Sequence, residues 1–426
     1  MPDAASGRAC PECGGQVTAD ARFVGWCPAC EWNIDPGEPE EEDRREAVRR
    51  ARAQEFGGEL LAELLGTEQA APRREPSARL ALALGLAVHA LTLVVLGLAV
   101  WCLTAGWPSA LPFVGLLLLA LAWGLRPRFA RVPEDAVVLR RTEAPELYGL
   151  VDEIAAAVGT RGVDLIAIDA EVNASAMRYG ARGRMLLTLG LPLWEILGPE
   201  QRLALLGHEL AHHAHGDTRH GRVLATASRS LETWDYYLAP EGHSARAWLN
   251  TLVLRPPWWL VRAARTGLTR LCLRSSLRAE YLADRSAARV ASTRAATELL
   301  DRILVADAAF AALSLEDAKA ARVVVGSRAA REQRPEPATE RSLWDRLAAS
   351  AASVPETEYE RRRRLAVRHG HRVDSTHPPT HLRREALLAG PSRQPLVRLD
   401  AERERRVAAE MAGARNEVGR KLGARA

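Results

Sequence analysis

The sequence is short of net charge, of lysine and of cysteine, and each shortage narrows what the chain can do. Its 58 basic residues exceed its 53 acidic ones by five across 426 positions, a surplus too thin to mark a nucleic-acid-binding protein. Only Lys319 and Lys421 among the 58 are lysines, an arginine bias that fits genome composition better than function. With 47% hydrophobic and 26% charged residues, the composition excludes a wholly disordered chain, a collagen and a coiled coil, and the length accommodates two to three domains. The mean hydropathy, −0.15, is that of a soluble protein, but an average conceals segregation.

Six cysteines occur, four of them grouped as Cys10-x-x-Cys13 and Cys27-x-x-Cys30 and two single, Cys102 and Cys272. No apolar leader precedes the group, where Pro2, Asp3 and Arg8 stand instead. A reducing compartment is expected, in which such thiols bind metal rather than form disulfides. Two knuckles of this kind can close a tetrahedron on a structural zinc, and a ribbon of residues 1–35 needs that metal because its apolar core is too small. Redox-active thiols are the other use of the spacing. Only Arg8 and Arg22 lie in the ribbon, so it suits a protein partner better than nucleic acid.

Residues 36–78 read as a charged linker, with Leu60, Leu61, Leu64 and Leu65 at helical spacing. The next stretch lacks charge altogether: none falls between Leu80 and Leu103, nor between Leu111 and Leu125. Residues 79–126 are thus expected to form a transmembrane helical hairpin, with Trp101, Trp107 and Trp123 near its ends. A helical hairpin buried in a soluble core is the alternative. Arg73, Arg74 and Arg79 precede the first span, Arg126, Arg128 and Arg131 follow the second, and the turn carries no charge. The positive-inside rule then predicts a multi-pass protein of the cell membrane, in contact with the lipid bilayer, with its N-terminus and everything after residue 126 in the cytoplasm.

From residue 132 the pattern is α+β. Val163–Ile168 and Arg184–Leu189 read as strands, and Gly198-Pro199-Glu200 opens a helix. That helix carries His208-Glu209-Leu210-Ala211-His212. Four residues make a little over one turn, so both imidazoles share a face and can hold one zinc, while Glu209 can reach a metal-held water as general base. Glu280, in Arg278-Ala279-Glu280-Tyr281-Leu282-Ala283-Asp284, is a candidate third ligand that would leave a fourth position open, as a catalytic zinc requires. Asp284, one turn on, could orient a ligand histidine. A solvated helix face explains Glu280 and Asp284 equally well at this stage.

The motifs together resemble the HtpX and CAAX prenyl-protease family of membrane-anchored zinc metallopeptidases, over about residues 132–390. Besides HExxH and the ExxxD at Glu280 and Asp284, Asn173-Ala174-Ser175-Ala176 is similar to the family's substrate-side edge strand, Gly190-Leu191 to its Gly-Leu, and Thr376-His377-Pro378-Pro379 with Arg383 to its C-terminal motif. The resemblance implies a mainly helical zincin-type domain with a small β-sheet, His208, His212 and Glu280 as ligands of a catalytic zinc, and Glu209 as catalytic base. It further implies Asp284 and Asp217 behind the ligands, His377 and Arg383 bordering the cleft as catalytic residues, and Asn173 and Ala174 binding substrate. Ser175 replaces the family's aromatic, and the ribbon is an addition. The expected activity is hydrolysis of peptide bonds in protein substrates; a non-proteolytic membrane scaffold recruiting proteins through the ribbon is the rival.

Two segments remain. Trp248–Leu273 combines tryptophans and leucines with Arg255, Arg262, Arg265 and Arg270, a helix that either lies in the membrane interface or packs on the domain. Residues 391–426 read as a charged helical tail.

Overall fold

The computed structural model describes residues 8–17, 20–37, 55, 58–59, 61–63, 76–214, 218–239, 245–326, 342–369 and 378–423. Among them helices dominate and the strands make two small sheets, in keeping with a mainly helical α+β chain. Strands β1 (Arg8–Ala9) and β2 (Gln16–Val17) pair antiparallel at the N-terminus.

Helices α1 (Pro76–Ala105) and α2 (Leu111–Leu125) come next. They pack antiparallel, with Thr92 Oγ1 donating to the Leu125 carbonyl at 2.8 Å. Beyond that crossing Leu93, Val94, Trp101, Phe113, Leu117 and Trp123 are exposed, as on helices that are apolar all round. At 1.5 Å per residue α1 is about 45 Å long and α2 about 22 Å. Among the described residues only α1 is long and apolar enough to cross a membrane; α2, expected to return across it, falls short of a hydrocarbon core of about 30 Å. The first half of α1 belongs to the body of the protein. Ala81 and Val88 are buried against Ala227, Leu231 and Trp234 of α6 (Thr218–Leu238) and Val261 and Leu268 of α7 (Ala245–Val290), and His89 Nε2 lies 3.0 Å from Thr226 Oγ1.

The larger sheet holds β3 (Val137–Leu139), β4 (Leu165–Asp169), β5 (Ala174–Tyr179) and β6 (Arg184–Gly190) in the order β3-β4-β6-β5. Only β4 and β6 are parallel, and β5 is an edge. Helix α3 (Pro145–Val158) covers the sheet with Leu147, Leu150, Val151 and Ile154, the i, i+3, i+4, i+7 stripe of an amphipathic helix. Tyr148 ties the layers together, its hydroxyl donating to the Leu139 carbonyl at 2.8 Å and accepting from the Ile166 amide at 3.0 Å.

Strand β6 runs through Gly190 into α4 (Leu191–Ile196) and α5 (Pro199–Ala214). A Cβ on Gly190 would lie 1.9 Å from the Glu171 carbonyl oxygen and 2.4 Å from that of Asn173, so only glycine lets the start of β5 cross here. Helices α8 (Thr293–Gly326), α9 (Leu343–Ala352), α10 (Glu356–His369) and α11 (Thr380–Ala389) complete the domain. The stretch read as a tail contains α12 (Ala401–Gly423), whose Val407, Met411, Ala414 and Val418 are buried in the same core as the sheet. Glu410 on this helix accepts from the Glu146 and Leu147 amides at 2.8 and 2.9 Å, satisfying donors that the first turn of α3 leaves open.

Candidate active site

Helix α5 buries Leu203, Leu206 and Leu210 and presents His208 and His212 toward α7. The two helices approach closely at Gly207, where a Cβ would stand 3.1 Å from Val290 Cβ. That contact brings Glu280 up to the histidines. The two Nε2 atoms lie 3.2 Å apart, and the Glu280 carboxylate oxygens lie 3.5 Å from His208 Nε2 and 3.4 Å from His212 Nε2. Donors about 2.0–2.1 Å from a tetrahedral zinc are separated by roughly 3.3–3.4 Å. The spacing and the mix of two imidazoles with one carboxylate therefore fit zinc, and the solvated-face reading of Glu280 fails because the residue is 5% exposed.

Behind this trio stands a second layer of charge. Asp284 Oδ1 is 3.0 Å from His208 Nδ1, which directs Nε2 to the trio. Arg383, on α11, reaches Asp284 through Nε and Nη2 at 2.8 and 2.7 Å. Burial alone would lower the His208 pKa, but the hydrogen bonds of Asp284 and Glu280 outweigh it and push it up to about 10. Burial would likewise raise Asp284, yet the Arg383 guanidinium holds its carboxyl below the usual range. Arg383 is itself pushed upward, the pull of Asp284 overcoming burial. Two of its three nitrogens thus engage Asp284, and Nη2 also lies 3.6 Å from Glu280 Oε2. Glu209 is half-buried beside the trio, close enough for its charge to act on Arg383.

Asn173 and Ala174 stand at the start of the edge strand. The Asn173 carbonyl accepts from the Gly190 amide at 2.8 Å, and its side-chain oxygen accepts from the Ala174 amide at 2.8 Å. A link that sequence reasoning missed joins this strand to α5: His213 Nε2 lies 2.8 Å from the Ala176 carbonyl. Burial lowers the His213 pKa, so a neutral ring donates there. A third histidine following His212 offers no periodic signal that would have singled it out. Asp217 and His377 lie outside the described residues.

The four ribbon cysteines also converge. Cys10 and Cys30 sulfurs are 3.6 Å apart, as are those of Cys13 and Cys27, too far for a bond and close to the roughly 3.8 Å edge of a zinc–tetrathiolate. Amide N–H groups, that of Cys30 foremost, draw Cys27 down to about 7. The Trp32 amide favours the Cys30 thiolate, but crowding by Cys13, Cys10 and Cys27 pushes Cys30 up to about 12. Four sulfur donors at this spacing fit a zinc ion. The ribbon is docked on α10. Trp26 is 1% exposed, with Nε1 donating to the Thr357 carbonyl at 3.3 Å, and Arg361 and Arg364 donate to the Ile34 and Pro28 carbonyls at 2.8 Å.

Comparison with known proteins agrees with this geometry. Residues 142–390, more than half of the chain, match peptidase family M48. A protein named Protease HtpX homolog from Methanothermobacter thermautotrophicus is 31% identical over 117 residues, which cover 26% of this chain and 43% of that protein. No solved structure matches the chain. The M48 match contains the histidine pair, Glu280, Asp284 and Arg383, and the chain belongs to peptidase family M48 as an HtpX-like member.

Proposed function

We propose that the chain is a membrane-anchored zinc endopeptidase in which His208, His212 and Glu280 hold the catalytic metal. The observation that carries this reading is the convergence of two imidazole nitrogens and a buried carboxylate at tetrahedral spacing, with Glu209 one residue from the first histidine. A zinc held there supplies a Lewis acid that polarises the scissile carbonyl and acidifies water. Glu209 accepts the proton from the attacking water and delivers it to the leaving amine. Asp284, braced by Arg383, keeps the His208 Nδ1 proton in place so that Nε2 faces the metal. An extended substrate segment would lie along edge strand β5 near Asn173 and Ala174, exchanging with the side-chain contacts that Asn173 and His213 make to its main chain.

In the same reading Cys10, Cys13, Cys27 and Cys30 hold a second, structural zinc. Residues 1–35 are the ribbon, 79–126 the membrane hairpin, and 132–390 the peptidase domain. Helix α1 supports membrane attachment through its length and apolar surface, and the arginines flanking α1 and α2 favour a cytoplasmic site. Since α2 is about 22 Å long, a second crossing would require its flanks or local thinning of the bilayer. Degradation of casein by purified protein tests the activity. Glu209→Gln should lower turnover by about 10²–10⁴-fold while keeping both metals; undiminished turnover in that variant would sink the mechanism.

A further inference from the structure

Between Ala245 and Ala279 helix α7 carries seven arginines and no acid, Glu280 being the first. One face of this stretch is committed to the protein, with Val261 and Leu268 packed among residues of α1 and α6. At 3.6 residues per turn Arg255, Trp259, Arg262 and Arg270 fall together on another stripe, and all four are exposed. Arg265 pairs with Asp235 at 2.6 Å, and Arg274 and Arg278 pair with Glu63. Among the described residues no acid pairs with Arg255, Arg262 or Arg270. Large apolar side chains flank the stripe: Val253, Leu260, Tyr236 and Tyr237 are each at least 66% exposed, and Arg262 lies over the Trp258 ring at 5.0 Å. Packing of Val261 and Leu268 agrees with the reading of a helix packed on the domain; the opposite face is the one an interfacial reading would use.

We propose that the Arg255–Trp259–Arg262–Arg270 stripe binds anionic lipid headgroups. The inference rests on α1 being a membrane helix, and continuity with α1 selects lipid over other polyanions, because α7 packs along the same half of α1 that leads to its exposed apolar segment. Guanidinium groups match phosphate with paired donors, and indole and phenol rings settle at the headgroup level. An acid-free arginine surface gains about fivefold in affinity per residue from a negatively charged leaflet, from roughly 1 kcal/mol each. Helix α7 also carries Glu280, about 15 Å along the helix from Arg270, so the proposed lipid surface and the candidate metal centre lie on one helix, with Pro256 and Pro257 between Arg255 and the rest of the stripe.

Full-length protein reconstituted in phosphatidylcholine vesicles, containing either brominated phosphatidylglycerol or brominated phosphatidylcholine as quencher, provides the test. Trp259-dependent emission is isolated by difference from Trp259→Phe. Phosphatidylglycerol should quench it at a much lower mole fraction than phosphatidylcholine. In Arg255→Gln/Arg262→Gln/Arg270→Gln that preference should fall by on the order of a hundredfold at low salt, and in the unmutated protein it should shrink as salt rises. If the triple variant does not fold, the salt series on the native chain decides alone. Equal quenching by the two lipids, no Trp259-dependent quenching, or equal competition by a single-stranded oligonucleotide would overturn the proposal. Quenching of Trp101 and Trp123 in the same vesicles reports insertion of α1 and α2, so its absence would instead remove the membrane reading itself.

Discussion

The Arg383 guanidinium closes a two-point bridge on Asp284, Nη2 to Oδ1 at 2.7 Å and Nε to Oδ2 at 2.8 Å. Ninety-nine residues separate them in sequence, and the bridge lies behind His208 rather than in front of it. On the proposed reading Arg383 acts as a positioning residue for His208, a candidate metal ligand. Arg383→Ala leaves a buried carboxylate without its cation and should cost about 3–5 kcal/mol of stability. Arg383→Lys keeps the charge but loses the second hydrogen bond, so it should fold better than the alanine variant yet bind zinc more weakly than the native protein. Thermal denaturation and zinc titration of the pair check this; equal zinc affinity in native and lysine forms would contradict it.

Removing the carboxylate gives a complementary outcome. Asp284→Asn cannot hold the His208 proton as an ion, and a loss of about 10–100-fold in zinc affinity is expected, with the four-cysteine site unaffected. Metal analysis after dialysis against a graded chelator series distinguishes the two sites.

Proton and metal compete for His208. In the metal-free protein its pKa is pushed up to about 10, so at pH 7 the imidazole carries a proton that an incoming cation must displace. Zinc binding should strengthen by about tenfold per pH unit between pH 7 and 9, through this group alone, and level off as pH passes the folded-state value. The sign is that of a raised base: acid favours the protonated, metal-free form. A zinc affinity that is flat across this window would show that His208 is already neutral.

His213 links the edge strand to α5 at the Ala176 carbonyl. His213→Phe removes one hydrogen bond, worth about 1 kcal/mol, and should loosen β5 without touching the trio. The expected signature is a KM raised about fivefold on a peptide substrate with kcat and zinc content little changed. A fall in kcat at constant KM would place the effect in the chemistry instead.

The docked ribbon makes the last prediction. Trp26→Ala empties a fully buried site and should cost about 3–5 kcal/mol in the docked state, exposing the amides of α10 to hydrogen exchange. Cys10→Ser with Cys13→Ser should reduce zinc from two ions per chain to one and expose the same amides. Loss of both ions would mean that the ribbon and the trio are not independent metal sites.

Much of this was legible in the residues. The Gly198-Pro199-Glu200 opening located α5, the apolar runs located β4 and β6, and the four-residue interval in HExxH fixed which side chains share a face. Spacing could not decide between a ligand and a solvated face for Glu280, because its burial depends on the approach of two helices at Gly207. Nor could hydropathy separate the two halves of α1. An uncharged run looks the same whether its neighbour is lipid or, as for Ala81 and Val88, another helix. The role of Arg383 depended on an angle: a motif names the residue, whereas the direction of its guanidinium is set by α11. The charged look of residues 391–426 hid a one-sided helix whose apolar stripe completes the core.

The bond from Trp26 to the Thr357 carbonyl spans 331 residues of sequence, which gives the ribbon an unusual place in the order of synthesis. It leaves the ribosome well before its docking surface on α10, which follows on the order of 20–60 s later at ordinary elongation rates. Throughout that interval the ribbon must hold its own shape and keep the Trp26 ring from foreign contacts, its strands and knuckles supported by the small cluster of Cys10, Val17, Cys27 and Trp32 and, on the proposed reading, by a metal on the four cysteines. If the four cysteines hold zinc as proposed, nascent chains made under zinc starvation would carry a sticky, unfolded segment until α10 is synthesised, and damage from metal scarcity would begin before the peptidase domain had been made.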